Sequence, residues 1–553
     1  MPQVFFALTL ATLVVVPACS YAQTSNPCPR FPVGSTVTSP LNLYSHNGVL
    51  AVNFTYQTEV AANGLTRYCF VTENGVQSPT LHVNPGDELI LNLTNALPQT
   101  PANMATMPEM TMSGPSCVPG AMMTNASVNV HYHGTNVAPT CHQDEVLTTL
   151  VNAGGSYQYK ILFPTDEPPG LYWYHPHIHG IAEAAVLGGA SGAIIVDGIQ
   201  NVNPLVAGLP YQVLIIRDNN IPGVSQPDQP AWDVSLNYVP VPYPSYTPAV
   251  INIQPGQQQF WRVLNASADT IIRLEVVYDG VPQTLSVVAL DGVPTNSQDG
   301  TSKGTPIYDT QIFLPPAGRA EFVVTGPSTS VKTAQLLTLY VNTGPDGDYD
   351  PDRPLANMVA SANALQPELI PAVSGPPPPA RFSDLATTQP TVERQLYFSE
   401  NNDTQQFFIT VQGQTPKVFN VDNPPAIVTT QGSVEDWTIE NRATEDHEFH
   451  IHQIHFLPLE VNGAPVSGGQ YLDTINVPYW SGSGPYPRIK VRMDFRGNVS
   501  GDFVYHCHIL QHEDAGMMAI IRVLPASSKT AKAVDRHEPK RKSDAAALLE
   551  GRN

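Results

Sequence analysis

Apolar and polar residues alternate in short runs along most of the chain. The runs are rich in Val, Ile, Leu and Tyr, and Gly, Pro, Asn or Asp separates one run from the next. Period-two alternation bounded by turn residues predicts β-strands, and their close spacing predicts Greek-key sandwiches instead of βαβ units. One pattern occurs three times. It runs from Val83 through Gly86 to Asn95, from Gln254 through Gly256 to Asn265, and from Gly432 through Trp437 to Asn441. In each copy a Gly turn leads into an alternating strand that closes on Asn nine residues after the Gly. Three copies at intervals suited to domains of about 150 residues predict an all-β chain of three consecutive sandwiches. The boundaries expected are 29–200, 205–375 and 391–526. Residues 376–390, which include Pro376 to Pro379, read as a stiff linker, and 527–553 as a polar, disordered tail.

Composition narrows the partners and the compartment. The 553 residues carry 54 prolines and 42% hydrophobic residues, a balance that fits a loop-rich β protein better than a helical one. A net charge of −21 argues against nucleic acid and anionic membrane surfaces as partners. At the N-terminus, Val4 to Ala18 form an apolar stretch too short to span a bilayer, followed by small and then polar residues. It reads as a signal peptide over 1–22, for a secreted or periplasmic protein; a lipid anchor on Cys19 is the second reading. Cys28, Cys69, Cys117 and Cys141 make an even set suited to disulfides after export. Four cysteines allow three pairings, and proximity along the chain favours Cys28–Cys69 and Cys117–Cys141.

Histidine placement supplies the chemistry. Twelve of the 16 histidines fall in four short clusters, and none lies between His179 and His447. The outer two domains therefore carry the chemistry, and the middle one is a spacer or binding wall. Alternate strand residues share a face, so His131 pairs with His133, His175 with His177, His450 with His452 and His506 with His508. Four such pairs on separate strands are hard to explain as satisfied core histidines. Eight imidazoles are too many for one metal ion and would serve about three. Cys507 has the opposite parity to His506 and His508 and faces inward with Phe503 and Tyr505. His447 likewise sides with Phe449 and Ile451, away from His450. A second site thus forms from Cys507, His447, His512 and Met517. Two His, one Cys and a weak Met define a blue-copper electron-transfer site, whereas structural zinc prefers several cysteines.

On these motifs the chain resembles the three-domain multicopper oxidases, the family of laccases, ascorbate oxidase and bacterial cuprous oxidases, from about Pro29 to Leu524. The resemblance implies cupredoxin-like domains and four copper ions: one type 1, one type 2 and a type 3 pair. His131 and His450 resemble the type 2 ligands; His133, His175, His177, His452, His506 and His508 resemble those of the type 3 pair. Cys507, His447 and His512 resemble type 1 ligands with Met517 axial, an arrangement that implies a modest potential. His179 and His455 fall outside the family's ligand positions. Tyr132, Glu448 and Gln453 depart from the family pattern without removing a ligand. Asp144 or Glu145, and Glu513, resemble the family's proton donors by position. The reaction implied couples four one-electron oxidations of a reducing substrate to reduction of dioxygen to two waters.

The electron donor is the open part of this reading. Six of 11 methionines lie at Met104, Met107, Met110, Met112, Met122 and Met123, in a segment rich in loop residues. Thioethers select Cu(I), although Met also fills irregular gaps in packing. Laccase-like oxidation of phenols or aromatic amines is the first reading, oxidation of Cu(I) or another metal ion the second. A non-catalytic copper-binding protein is the third, and the complete ligand set argues against it. A monomer is expected.

Overall fold

The computed structural model describes residues 26–107, 116–221, 229–298, 303–373, 375–497 and 499–526. The expected signal peptide and Cys19, Met110 and Met112, and the tail from 527 lie outside the described residues. Three β-sandwiches follow one another, and the helices among the described residues are single turns such as Ala182–Leu187 and Leu510–Asp514. In the first sandwich, a sheet ordered Asn42–Tyr44, Thr80–Val83, Gly192–Val196, Gly170–His175, His131–His133 faces a sheet of four strands. The second sandwich, between Tyr211 and Ala360, packs an eight-stranded against a six-stranded sheet. In the third, Ile427–Thr430, Met518–Leu524, Gly501–Cys507, His447–Ile451 and Thr474–Val477 form one sheet against six strands.

The threefold sequence pattern has a threefold structural cause. The strands Glu88–Asn95, Gln258–Asn265 and Val434–Asn441 each run parallel to the first long strand of their own sandwich. Gly86, Gly256 and Gly432 open them at φ of 90°, 69° and 98°, a region that an L side chain avoids. Each closing Asn is buried and does the same work. Its amide donates to two backbone carbonyls: Ala126 and Val151 for Asn95, Thr270 and Leu314 for Asn265, Glu445 and Val477 for Asn441. Its oxygen accepts the N–H two residues on. The Asn thus satisfies backbone groups where the strand leaves the sheet, groups that would otherwise be buried unpaired.

Each sandwich has its own apolar core. Val128, Val130 and Tyr132 enter the first, and Phe449, Ile451, Phe503, Tyr505 and Cys507 enter the third, as their parity requires. Leu171, Trp173 and Ile195 of the first sandwich pack on Val213, Phe260 and Val288 of the second. Val146 of the first meets Phe419, Val504, Met518 and Ile520 of the third. The 376–390 segment, expected as a linker, sends Phe382 and Leu385 into a cluster with Val293, Val434 and Tyr471. Disulfides join Cys28 to Cys69 and Cys117 to Cys141, and among the described residues Cys507 is a free, buried thiol. Among the described residues no helix is long and apolar enough to cross a membrane.

Candidate metal centre

Strand register brings the histidines together. His131 lies opposite His175 in the first sandwich, and His450 opposite His506 in the third. The two sheets meet so that the rings interleave: His131 stacks on His452 at 3.8 Å between centroids, and His133 on His450 at 4.0 Å. The eight imidazoles gather around three points. His133, His175 and His508 converge on one, and His177, His452 and His506 on a second, with ligand atoms within 4.8 Å of one another. His131 and His450, together with His133, surround the third.

The unengaged nitrogens show what these points can hold. His175 Nδ1 meets the Pro176 carbonyl at 2.9 Å, His506 Nδ1 that of Cys507 at 2.8 Å, and His450 Nδ1 that of Asp473 at 2.8 Å. A ring that donates there keeps its lone pair on Nε2. Those of His131, His175 and His450 are buried with no hydrogen-bond partner, as are Nδ1 of His133 and both nitrogens of His508. His506 Nε2 faces two other Nε2 atoms, His452 at 3.2 Å and His177 at 3.3 Å. Burial lowers the proton affinity of all eight rings, to about 3 at His177 and about 4 at His450. Neutral imidazoles with inward lone pairs cost about 1–3 kcal/mol each if nothing engages them. The donor set therefore fits metal ions that favour nitrogen ligands, copper among them.

A second site lies on the other side of the strand Gly501–Cys507. Cys507 Sγ is 3.8 Å from His447 Nδ1 and 3.7 Å from His512 Nδ1, and the two imidazole nitrogens are 3.1 Å apart. The Glu448 N–H donates to the sulfur at 3.3 Å. Met517 is fully buried in the same core, and its carbonyl accepts the Cys507 N–H. Burial pushes the thiol pKa up, so a thiolate here needs a cation beside it. The His512 ring lies flat on Phe407 at 4.4 Å, and its Nε2 reaches toward Glu445 at 3.4 Å. The two sites are adjacent in the chain, since His506 and His508 flank Cys507.

The acids fall into distinct places. Asp144 lies 3.0 Å from His131 Nδ1 and accepts the Tyr132 N–H and the Gln453 amide, the latter at 2.6 Å. Burial raises its pKa to about 7. Glu145 turns the other way and accepts from the backbone and hydroxyl of Thr148 and the hydroxyl of Thr149. Glu513 is fully buried, 3.2 Å from His506 Nδ1 and 3.7 Å from His177 Nε2, and burial holds its pKa far above the carboxylate range.

Sequence reasoning missed Asp473. This buried acid lies 3.3 Å from His133 Nε2 and 3.5 Å from His455 Nε2, and its carbonyl engages His450. Arg319 of the middle sandwich grips it with both guanidinium arms, one at 2.7 Å. Asp291 sits at a left-handed turn and accepts the backbone N–H groups of Arg319 and Asp473. The middle sandwich, which supplies none of these histidines, thus buttresses those of its neighbours. No local motif signals this, because Arg319 and Asp473 stand 154 positions apart.

Comparison with known proteins agrees with the geometry. Two family models, both described as multicopper oxidase, match residues 387–527 and 121–201. Multicopper oxidase MmcO of Mycobacterium tuberculosis is 22% identical over 483 residues, covering 80% of this chain and 81% of that protein. A laccase of Bacillus subtilis is 24% identical over 412 residues, covering 64% and 71%. A Campylobacter jejuni multicopper oxidase described as a metallo-oxidase superposes with a TM-score of 0.64 at 21% identity, over 90% of this chain and 96% of that one. The chain belongs to the multicopper oxidase family. It is an oxidoreductase that uses dioxygen, built of three cupredoxin-like domains.

Proposed function

We propose that the chain holds four copper ions and couples four one-electron oxidations of a small reducing substrate to reduction of dioxygen to two waters. His131 and His450 hold the type 2 ion. The type 3 pair is held by His133, His175 and His508 on one side and His177, His452 and His506 on the other. His447, Cys507 and His512 hold the type 1 ion with Met517 as a weak axial ligand. The observation that carries this reading is the division of eight buried imidazoles into groups of three, three and two, beside a separate Cys-His-His site.

Copper bound in these positions would supply the one-electron steps and the reduction of dioxygen. The protein's own part is connection, orientation and protons. Cys507 belongs to the outer site while its two peptide neighbours belong to the inner one, and its carbonyl accepts from His506. Asp473 and Asp144 orient His450, His133 and His131 through the nitrogens that face away from the cluster. Glu513, whose carboxyl burial pushes well above the usual carboxylate range, stands between His177 and His506, where it can pass a proton to the cluster. Asp144 is a second proton carrier, whereas the contacts of Glu145 support only a role in its own turn.

For the donor, one observation favours a cation over a neutral phenol. Carboxylates surround His512, the outermost ring of the Cys507 site. Glu445 and Glu400 lie against each other, and burial brings both to about 7. Glu183, raised to about 6, stands with Asp218, Asp269 and Asp348 beside them. Such a surround draws in positive charge, so a metal ion or an aromatic ammonium suits it. Dioxygen uptake by the copper-loaded protein with Cu(I), and separately with a neutral phenol, tests the choice. Faster uptake with Cu(I), reduced by Glu445→Gln, is expected; faster uptake with the phenol and indifference to Glu445 would make the protein a phenol oxidase.

A further inference from the structure

Away from the carboxylates, the first and third sandwiches line a small cavity of about 40 Å³ directly beside His177. Most of its wall is apolar, from residues such as Leu150, Ile178 and Val504, but three side chains on it carry soft or nitrogen donors: Met123, Met518 and His179. All three are more than nine-tenths buried. The His179 ring engages the Glu513 backbone, while its Nδ1 is buried and meets no hydrogen-bond partner. Its lone pair therefore has no engagement within the protein. A water molecule there would find one good acceptor and little else, short of the two to four partners it needs. Two thioethers and a neutral imidazole suit a soft monovalent ion of low coordination number.

The methionines leading to this cavity are graded in exposure. Met104 and Met122 stand 43% and 49% exposed, Met107 is half-buried, and Met123 is buried against Leu150 and Ile178 with Met107 packed on that cluster. The two short segments that carry them run antiparallel, with Thr106 bridging Thr124 and the Met107 N–H donating to the Met123 carbonyl. Met107 also lies over Gly180, one residue beyond His179. Packing alone would call for Met at the buried positions, not at the two exposed ones.

We propose that Met123, Met518 and His179 form a Cu(I) site in this cavity, distinct from the eight-imidazole group and from the Cys507 site, and that Met104, Met122 and Met107 lead to it from solvent. The position, one cavity wall from His177, suits a station through which copper reaches the imidazole cluster.

Ag(I) is the probe, because it shares the ligand preference of Cu(I) and is not oxidised. The copper-loaded protein is titrated with Ag(I) against a competing chelator, its copper content is followed in parallel, and X-ray absorption at the silver edge reports the donors. One tightly held Ag(I) with sulfur and nitrogen donors is expected, with copper content unchanged. Met123→Leu should weaken it about ten-fold or more, His179→Gln should remove the nitrogen donor, and Met104→Leu with Met122→Leu should slow uptake. Silver with sulfur donors alone, or an affinity that neither Met123→Leu nor His179→Gln changes, would overturn the site. Xenon entering the cavity of a protein that takes up no Ag(I) would make it a passage for gas instead. An unchanged rate in the doubly substituted protein would remove the route. Copper content, measured independently, keeps failure here separate from failure of the four-copper reading.

Discussion

Replacing Arg319 by Met removes the guanidinium from two buried carboxylates at once. Arg319 is 1% exposed and Asp473 is fully buried; the two-armed contact holds the Asp473 carboxyl below its ordinary range, although burial opposes this. Asp291, 3.6 Å from the same guanidinium, is raised to about 7 by burial and is already the less firmly ionised of the pair. Removing one partner of a buried ion pair costs about 3–5 kcal/mol, since the other charge remains out of water. At about 2–4 °C per kcal/mol for a unit of this size, the melting temperature should fall by roughly 6–20 °C. A second consequence is specific to the site. Asp473 engages His133 and His450, and loss of such an outer partner typically weakens metal binding about 10–100-fold. Thermal unfolding by circular dichroism, with copper per chain by atomic absorption after dialysis against a chelator, reads both effects. Asp473→Asn, which leaves Arg319 only the Asp291 carboxylate at 3.6 Å, should lower stability as well and should lose more copper than Arg319→Met. An Arg319→Met protein that melts with the parent and retains all its copper would refute the reasoning.

Four further outcomes follow from the same contacts. Glu513→Gln should slow dioxygen reduction about a hundred-fold or more while copper content is spared; unchanged turnover in an oxygen electrode would end its role as a proton source. Cys507→Ser should lower copper by one ion per chain and abolish the intense visible absorption of a copper–thiolate bond, as absorption spectroscopy would record. Met517→Leu should raise the reduction potential of the Cys507 site in a redox titration, and a lowered or unmoved potential would contradict axial ligation. Asn265→Ala strips two buried carbonyls of their donors and should cost about 2–4 kcal/mol by calorimetry, although the residue lies in a sandwich without clustered histidines.

Much of this was legible in one dimension because strands alternate. Parity alone placed His131 with His133 on one face and set Cys507 against His506 and His508, since a strand offers only two sides. The repeated Gly-to-Asn spacing announced three sandwiches, but the work of the Asn was invisible, because its carbonyl partners lie as far as 56 residues away. Spacing left Asp144 and Glu145 equivalent. They part only when Thr148 and Thr149 draw Glu145 into its own turn and Gln453, 309 positions on, reaches Asp144. The Arg319–Asp473 buttress and the carboxylates around His512 assemble from different sandwiches, so no window of sequence contains them. The methionines stood out by crowding, yet Met518, their partner across the cavity, belongs to the last strand of the third sandwich.

The central claim is that buried imidazoles from two sandwiches and the Cys507 site together hold copper that reduces dioxygen fully. The direct measurement is stoichiometry: donor oxidised against dioxygen consumed by the copper-loaded protein, with hydrogen peroxide assayed in the same vessel. Four one-electron donors per dioxygen, no peroxide, and loss of uptake on stripping the copper are the predicted result. Two donors per dioxygen with peroxide accumulating, or full uptake by the copper-stripped protein, would contradict it.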